Sequence, residues 1–274
     1  MVVNMVTVKK LREENYIMQQ NILKASLKKG EPNLGIFDNI ASSSLAELLA
    51  RAGFDFVVID TEHGPANTES IEEMIRAVEI GGSIPIVRVP STSRNNILKA
   101  IDGGAYGIVI PIVETKEDVE QIIRWSKYYP IGERGLAFST KAGGYSTFNK
   151  KMHLDSSNKE IMIIIQIETS KGAENLDAIL SSYANQIDVV FIGLSDLSNS
   201  LGFPGQTDNP EVREVAHKII DKCQNAGVAV GTIIGSKEDI DYWISHNVLF
   251  ITTTVPGILL NGVSELISRF KNER

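Results

Sequence analysis

Short apolar runs alternate with segments of helical periodicity along most of this chain. The runs are rich in valine and isoleucine, and most are too short for helices, which is typical of strands buried on both faces. They cover residues 34–37, 54–59, 84–89, 107–111, 162–167, 188–192, 228–232 and 249–253. The helical segments that follow them are residues 43–52, 68–80, 94–101, 116–127, 171–182, 210–226, 236–245 and 257–270.

Eight alternations of strand and helix predict an α/β fold, a closed (β/α)8 TIM barrel in a single domain. The length of 274 residues suits one barrel of this kind, although length alone would also allow two smaller domains. An open, doubly wound parallel sheet is the alternative architecture.

Two segments lie outside this repeat. Residues 1–30 mix charged and apolar positions and predict an amphipathic lead-in helix; a transit peptide is the alternative, which the acidic pair Glu13-Glu14 disfavours. We therefore divide the chain into an N-terminal helical extension, residues 1–30, and a barrel domain, residues 31–274. Residues 128–160 match neither pattern, and a connection of that length is usually functional or mobile. Because it follows a helix, we expect it to begin at the bottom of the barrel.

Composition and charge narrow the possible partners. The chain is 43% hydrophobic and 22% charged, as in ordinary soluble domains. Its net charge of −7 argues against nucleic acid as a main partner, because phosphate binding needs a basic face. Cys223 is the single cysteine, which excludes an intrachain disulfide and fits a reducing, cytoplasmic location. No apolar run approaches the roughly 18 residues of a membrane span. We expect a small-molecule substrate, with no nucleic acid and no membrane.

Ionisable and polar residues gather where four of the predicted strands end. They are Asp60-Thr61-Glu62-His63 after the second run, Arg88 in the third, Gln166-Ile167-Glu168-Thr169 at the fifth and Gly193-Leu194-Ser195-Asp196 after the sixth. Reactive groups of barrel enzymes sit at these carboxyl ends, and burying such groups without a purpose would be costly. The pattern predicts an active site at the top face.

Glu168 and Asp196 are candidate ligands of a hard divalent cation. Such a cation is satisfied by one or two carboxylates together with water and a chelating substrate. Since no cysteine is near, Mg²⁺, Mn²⁺ or Co²⁺ fits better than structural zinc. The alternative is that the two carboxylates only cap the helices that follow them.

His63 and Arg88 are the other reactive candidates. His63 stands at a strand end beside Asp60 and Glu62, which are close enough to orient it for base chemistry. Arg88 could stabilise an oxyanion or enolate. The alternatives are a loop histidine bound by turn backbone and an internal salt bridge of the arginine. No lysine lies in the predicted strands, which argues against a Schiff-base aldolase, and dinucleotide and phosphate-loop signatures are missing.

These motifs, taken in order, resemble the HpcH/HpaI aldolase family of the phosphoenolpyruvate/pyruvate barrel superfamily. The resemblance runs from about residue 34 to residue 266 and is carried by Asp60-x-Glu62-His63-Gly64, Arg88, Gly132-x-Arg134-Gly135, Gln166-Ile167-Glu168-Thr169 and Gly193-x-x-Asp196-Leu197. It implies a metal-dependent lyase that cleaves a 4-hydroxy-2-oxo acid to pyruvate and an aldehyde.

The resemblance also implies a role for each matching position. His63 matches the catalytic base, Arg88 the transition-state stabiliser, Glu168 and Asp196 the metal ligands, and Gln166, Ser195 and Asp196 the positions that hold the pyruvyl end of the substrate. Asp60 is a further catalytic candidate beside the base, and Asp102 matches an aspartate that raises the basicity of the histidine.

The position of Asp102 at the end of a predicted helix bears on the assembly of the protein. It ends a predicted helix, and barrel helices run back toward the bottom face, so it should not reach the top of its own barrel. If it acts on a histidine, that histidine belongs to another subunit. The resemblance and the geometry together predict a homo-oligomer with shared active sites.

Departures from the family pattern concern substrate specificity and oligomer contacts, whereas the metal pair is unchanged. Phe37 replaces a common tryptophan, Leu194 a proline, residues 141–145 a stretch that usually bears arginine, and Thr254-Val255-Pro256 a Gly-x-Asp.

Two other functions stay open. One is a citrate-lyase β-like lyase acting on a thioester, although such proteins tend to carry Glu-Asp where this chain has Glu62-His63. The other is a non-catalytic barrel that binds a keto acid.

Overall fold

Eight parallel strands close into a barrel in the computed structural model, which describes residues 19–236 and 238–272. Every neighbouring pair is parallel, and β8 pairs with β1. The strands are β1 Asn33–Asp38, β2 Phe56–Asp60, β3 Ile84–Arg88, β4 Gly107–Ile110, β5 Met162–Ile167, β6 Val189–Ile192, β7 Ala229–Ile233 and β8 Phe250–Thr254. The predicted (β/α)8 barrel is confirmed.

Most of the helices pack on the outer faces of the barrel. They are α1 Ile22–Lys28, α2 Ser43–Arg51, α3 Thr68–Gly81, α4 Arg94–Asp102, α5 Lys116–Ser126, α6 Lys150–Glu160, α7 Ser170–Tyr183, α8 Leu194–Ser200, α9 Pro210–Asn225, α10 Glu238–Ser245 and α11 Val255–Asn272. Many begin at a residue whose side-chain oxygen accepts a backbone N–H of the first turn, as Ser42, Asn67, Ser93 and Thr115 do. No helix in the described parts of the chain is long and apolar enough to cross a membrane.

Aromatic rings fill the inside of the barrel. Phe56 stacks on Phe250 with 4.0 Å between ring centroids, and Phe37 meets Phe191 edge-on at 5.7 Å. Gly35 makes room for this packing, because a Cβ there would lie 2.1 Å from the ring of Phe56. Phe37 and Phe191 also line the cavity above them, so the packed core forms part of the wall of the site.

The segment 128–160 begins at the amino-terminal end of the barrel, as expected, and contains α6. Asn158 ties its two ends together, since its side chain accepts the N–H of Tyr128 at 2.6 Å and donates to the Tyr128 carbonyl at 3.0 Å. The buried ammonium of Lys127 donates to the carbonyls of Asn158 and Ile161. Apolar residues are sparse in α6, which explains why periodicity did not predict it.

Most of the predicted N-terminal extension, residues 1–18, lies outside the described residues. The described part contains α1, whose Leu23 and Leu27 pack against the inner core. The domain division at residue 30 stays a prediction.

The C-terminal helix α11 leaves its apolar side chains exposed. Val255 is its buried residue. Its exposed apolar side chains are Ile258, Leu259, Leu260, Val263, Leu266, Ile267 and Phe270. An apolar surface of this extent is typical of a helix that packs against another protein surface.

Candidate active site

A cavity of about 280 Å³ opens at the carboxyl ends of the strands. Seven of the predicted site residues line it: Asp60, His63, Arg88, Gln166, Glu168, Ser195 and Asp196. A larger cavity of about 510 Å³ lies at the amino-terminal end and is lined by none of them. The chemistry-bearing residues therefore converge on the smaller cavity.

Glu168 is buried at the end of β5 and is held through both carboxylate oxygens. Oε1 accepts the backbone N–H of Ile112 at 2.7 Å, and Oε2 accepts from Nε2 of Gln166 at 2.9 Å. Burial raises the pKa of Glu168 to about 7, assisted by the negative charges of Asp196 and Glu62 and opposed by the Ile112 N–H. Ionising this carboxylate is costly without a cation beside it.

The backbone of Ile112 is unusual for a β-branched residue. Its φ is 52°, in the left-handed region that such side chains rarely adopt. This conformation accompanies the N–H bond to Glu168, and such outliers cluster at functional sites.

Gly193 leaves the space that Glu168 occupies. A Cβ at this position would lie 2.4 Å from Oε2 and 2.7 Å from Cβ of Glu168. Gly193 also precedes α8, and Asp196 stands in the first turn of that helix. The short helix was not predicted, yet it brings Asp196 to the same wall as Glu168.

The donor chemistry of this wall suits a hard cation. Glu168 and Asp196 place two carboxylates on this wall of the cavity, and Oε1 of Gln166 is buried without a hydrogen-bond partner. No group of three or more acidic, histidine or cysteine side chains within residues 19–236 and 238–272 could enclose a metal ion. The protein would thus supply two carboxylates and leave further positions to water and substrate.

Arg88 is held in place by two acidic residues. Asp60 accepts from Nε at 2.9 Å and from Nη2 at 2.6 Å, and Oε2 of Glu62 lies 3.2 Å from Nη1. The guanidinium also lies over the Phe37 ring, 4.9 Å from its centroid. The internal salt bridge anticipated as an alternative is present, and it fixes the guanidinium at the cavity wall.

Burial raises the pKa of Glu62, while the positive charge of Arg88 opposes the shift. Asp60, Glu168 and Asp196 line the cavity, and Glu62 is bound to Arg88 beside it, so four carboxylates surround one guanidinium. A bound divalent cation would relieve that repulsion.

His63 is exposed at the rim, and its imidazole has no hydrogen bond to any described residue of this chain. Oδ1 of Asp60 accepts the backbone N–H groups of Glu62 at 3.1 Å and of His63 at 3.3 Å. Asp60 therefore orders the turn that carries the histidine, and it does so through the backbone and not through the ring. The ring is left free to bind substrate or a residue of another chain.

Asp102 lies far from this group, at the end of α4. Its Oδ1 accepts from Nη2 of Arg134 at 2.6 Å, and Arg134 also donates to Oγ of Ser157. This is the amino-terminal side of the barrel, the position expected from the direction of barrel helices. Within one chain the structure does not bring Asp102 to His63.

Some contributors to the site were not predicted. The N–H of Ile112, the space above Gly193 and the side chain of Asn39 at the cavity wall depend on loop conformation. Only the glycine lay within a motif that pointed to the site.

Comparisons with known proteins agree with this geometry. The family model described as HpcH/HpaI aldolase/citrate lyase matches residues 33–260. A hydroxypyruvate/pyruvate aldolase from Roseobacter denitrificans is 33% identical over 253 residues, which cover 92% of this chain and 97% of that protein. A 4-hydroxy-2-oxo-heptane-1,7-dioate aldolase from Escherichia coli is 32% identical, with coverage of 92% and 95%.

A solved structure shares the whole architecture. The crystal structure of an HpcH/HpaI aldolase/citrate lyase family protein from Burkholderia cenocepacia superposes with a TM-score of 0.86 at 28% identity, covering 92% of this chain and 100% of that one. The family model matches the chain from β1 into α11, and this range includes every strand end that carries a predicted site residue. The relatives and the solved structure each cover 92% of the chain. The chain belongs to the HpcH/HpaI aldolase/citrate lyase family.

Proposed function

We propose that this protein is a divalent-metal-dependent aldolase that cleaves a 4-hydroxy-2-oxo acid to pyruvate and an aldehyde. The observation that carries the proposal is the convergence of Glu168 and Asp196 with His63 and Arg88 around one cavity. Membership of an aldolase family supports the reaction type.

Glu168 and Asp196 would hold the cation. Aldolases of this family depend on a divalent metal, and the oxygen donors of this cavity favour Mg²⁺, Mn²⁺ or Co²⁺. When bound, the cation supplies Lewis acidity toward the 2-oxo acid and neutralises the two carboxylates. The second N–H of Nε2 of Gln166 and the backbone N–H groups of the first turn of α8 at Ser195 would donate to the oxygens of the pyruvyl end of the substrate.

His63 would take the proton of the C4 hydroxyl while the C3–C4 bond breaks. The bonding electrons pass to the C2–C3 unit of the departing enolate, and a proton returned to C3 completes pyruvate. Arg88 would donate a hydrogen bond to the enolate oxygen. Its ion pairs with Asp60 and Glu62 hold the guanidinium in position before the substrate binds. Asp60 would position both His63 and Arg88, because its carboxylate accepts from the guanidinium of Arg88 and from the backbone N–H of His63.

A homo-oligomer with shared active sites is part of the proposal. The ring of His63 makes no hydrogen bond within the described chain, and Asp102 lies at the opposite end of its own barrel. Asp102 of a second copy would bind the ring and raise its basicity. The exposed apolar face of α11 supports association between copies.

A cytoplasmic location is also proposed, supported by Cys223 as a free, buried thiol.

Pyruvate release from a panel of 4-hydroxy-2-oxo acids tests the function. We expect activity that chelation abolishes and Mn²⁺ restores. Glu168→Gln and Asp196→Asn should lose both turnover and Mn²⁺ binding, whereas Glu174→Gln, an exposed glutamate on α7, should keep both. Full activity after exhaustive chelation would contradict the metal role. Tight binding of the acids without pyruvate release would indicate a non-catalytic keto-acid barrel, and cleavage of malyl thioesters alone would indicate the thioester lyase.

A further inference from the structure

A second cavity, of about 510 Å³, lies at the amino-terminal end of the barrel. Apolar side chains form much of its wall, among them Ile22 of α1, Ile84 of β3, Ile101 of α4 and Phe148. No residue assigned to the active-site cavity is among the described residues that line it. The proposed aldolase reaction therefore leaves this second cavity without a role.

His153 of α6 gives the wall of this cavity an unsatisfied polar group. The residue is 1% exposed, it lines the cavity, and its Nδ1 is buried without a hydrogen-bond partner among the described residues. The rings of Tyr128, Phe138 and Phe148 stand around the imidazole, with centroids 6.0, 6.2 and 5.7 Å away. A buried polar atom of this kind is unfavourable until a partner binds it.

The surroundings of His153 favour an uncharged donor as that partner. Burial lowers the pKa of His153, and the positive charge of Arg134 lowers it further, so the imidazole is neutral at pH 7 and has one nitrogen that accepts a hydrogen bond. The same positive charge disfavours a second cation here. Lys141 and Glu79 at the cavity already pair with each other, with 2.7 Å between Nζ and Oε2. The partner that fits is a neutral hydroxyl carried on an apolar body.

The polypeptide itself enters the described structure at this cavity. Gln19 and Gln20, the first described residues, line its wall. Asn21 then fixes the chain, because its Nδ2 donates to the carbonyls of Tyr106 at 3.1 Å and Glu160 at 3.0 Å. The eighteen preceding residues therefore start from an anchored point on the cavity wall. The family model begins at residue 33, so this segment lies outside the part of the chain that the model matches.

The sequence of residues 1–18 supplies a group of the required chemistry. Tyr16 is the one aromatic residue in this segment, and it combines an apolar ring with a neutral hydroxyl. It precedes Gln19 by three residues, a distance of up to about 10 Å along an extended chain. The basic residues of the segment stand farther from Gln19 in the sequence. Tyr16 is therefore the donor that can reach His153 from the cavity wall.

We propose that residues 1–18 bind in this cavity of their own chain and that the hydroxyl of Tyr16 donates a hydrogen bond to the imidazole of His153. The bound segment covers the apolar wall and satisfies the buried histidine.

The same contact braces α6. Besides His153, this helix carries Ser157, whose Oγ accepts from Nη1 of Arg134 at 3.1 Å, and Arg134 in turn binds Asp102. Binding of the segment thus supports the side of the barrel on which Asp102 lies.

Crosslinking of the full chain tests where the segment binds. Asn15→Cys places a thiol beside Tyr16, and Ala142→Cys places a second thiol on the cavity wall. A short bismaleimide should join the two within one chain, as mass spectrometry of the peptides shows. The control pairs Asn15→Cys with Glu174→Cys, an exposed position near the start of α7, and should give no such product.

A double-mutant cycle tests the hydrogen bond. Tyr16→Phe removes the hydroxyl and keeps the ring, and it should lower the folding equilibrium constant about fivefold in urea unfolding at a fixed protein concentration. In a His153→Phe background the same change should have no effect, because the acceptor is gone. Tyr129→Phe, which removes the hydroxyl of an exposed tyrosine, should leave the equilibrium constant unchanged.

Each other result would overturn a stated part of the proposal. Crosslinks that form only between chains would show that the segment of another copy occupies the cavity. Equal crosslinking of Asn15→Cys to both test positions, or to neither, would show that the segment does not bind there. An equal effect of Tyr16→Phe with and without His153 would exclude the hydrogen bond between them.

Discussion

Replacing Gly193 by alanine tests whether the position of Glu168 controls catalysis. The new Cβ would lie 2.4 Å from Oε2 and 2.7 Å from Cβ of Glu168, whereas ordinary contact begins at 3.4 Å, so the carboxylate must retreat by 3.4 − 2.4 = 1.0 Å and the Cβ must shift with it. Moving away from Gly193 strains its bonds to the Ile112 N–H and to Gln166. The backbone itself is not the obstacle, since Gly193 has a φ of −81°.

A displacement of this size in a catalytic group costs on the order of 100-fold in rate. We therefore expect kcat for pyruvate release to fall roughly 100-fold at saturating Mn²⁺, about 2.7 kcal/mol in the activation free energy. A coupled lactate dehydrogenase assay measures the rate, and a parallel titration measures Mn²⁺ affinity, which should weaken as well.

Gly235→Ala is the matched control. Its Cβ would meet Oδ2 of Asp239 at 3.6 Å, an ordinary contact, so activity should stay at the wild-type value. If Gly193→Ala kept kcat within threefold of wild type while folding normally, the position of Glu168 would not limit catalysis.

Three further predictions concern Arg88, Asp38 and Glu168. Arg88→Ala should lower kcat by about 10² to 10³, as loss of an oxyanion donor does, and near-wild-type turnover would remove Arg88 from the mechanism. Burial raises the pKa of Asp38 to about 6, so its ionisation favours the unfolded chain as pH rises. Urea unfolding should therefore show that Asp38→Asn stabilises the protein by about 2 kcal/mol more at pH 8 than at pH 4, and an equal effect at both pH values would refute this. The pKa of Glu168, raised to about 7, makes protons compete with the metal. Calorimetric titration should give a Mn²⁺ Kd roughly tenfold weaker at pH 6 than at pH 8, whereas an affinity independent of pH would contradict the role of Glu168 as a ligand.

The barrel could be predicted from the sequence because its strands are short and apolar and its helices are amphipathic. Periodicity fails where a helix buries little, and α6 is the example: it is held by Asn158 and by Arg134, which bonds to Ser157. Those contacts join residues more than 20 positions apart. The short helix α8 was missed because seven residues carry too little pattern.

The site could be predicted as a set of strand ends, because parallel strands deliver their carboxyl ends to one face. Its internal contacts could not be predicted in the same way. Whether Asp60 binds the ring of His63 or the guanidinium of Arg88 depends on side-chain rotamers, and the structure shows the guanidinium. The left-handed backbone of Ile112 has no signal in the sequence, since isoleucine disfavours it.

The location of Asp102 could be predicted from the direction of the barrel helices. Its place at the far end of the barrel follows from the end of α4 alone, and its pairing with Arg134 agrees with that place. The partner across a subunit boundary is a property of the assembly, which one chain does not contain.

Anomalous diffraction from crystals soaked with Mn²⁺ and pyruvate tests the central claim most directly. The account predicts one strong anomalous peak between the carboxylates of Glu168 and Asp196, with the carboxylate and keto oxygens of pyruvate bound to it and its methyl carbon on the side of His63. A peak elsewhere, or pyruvate bound apart from these two carboxylates, would contradict it.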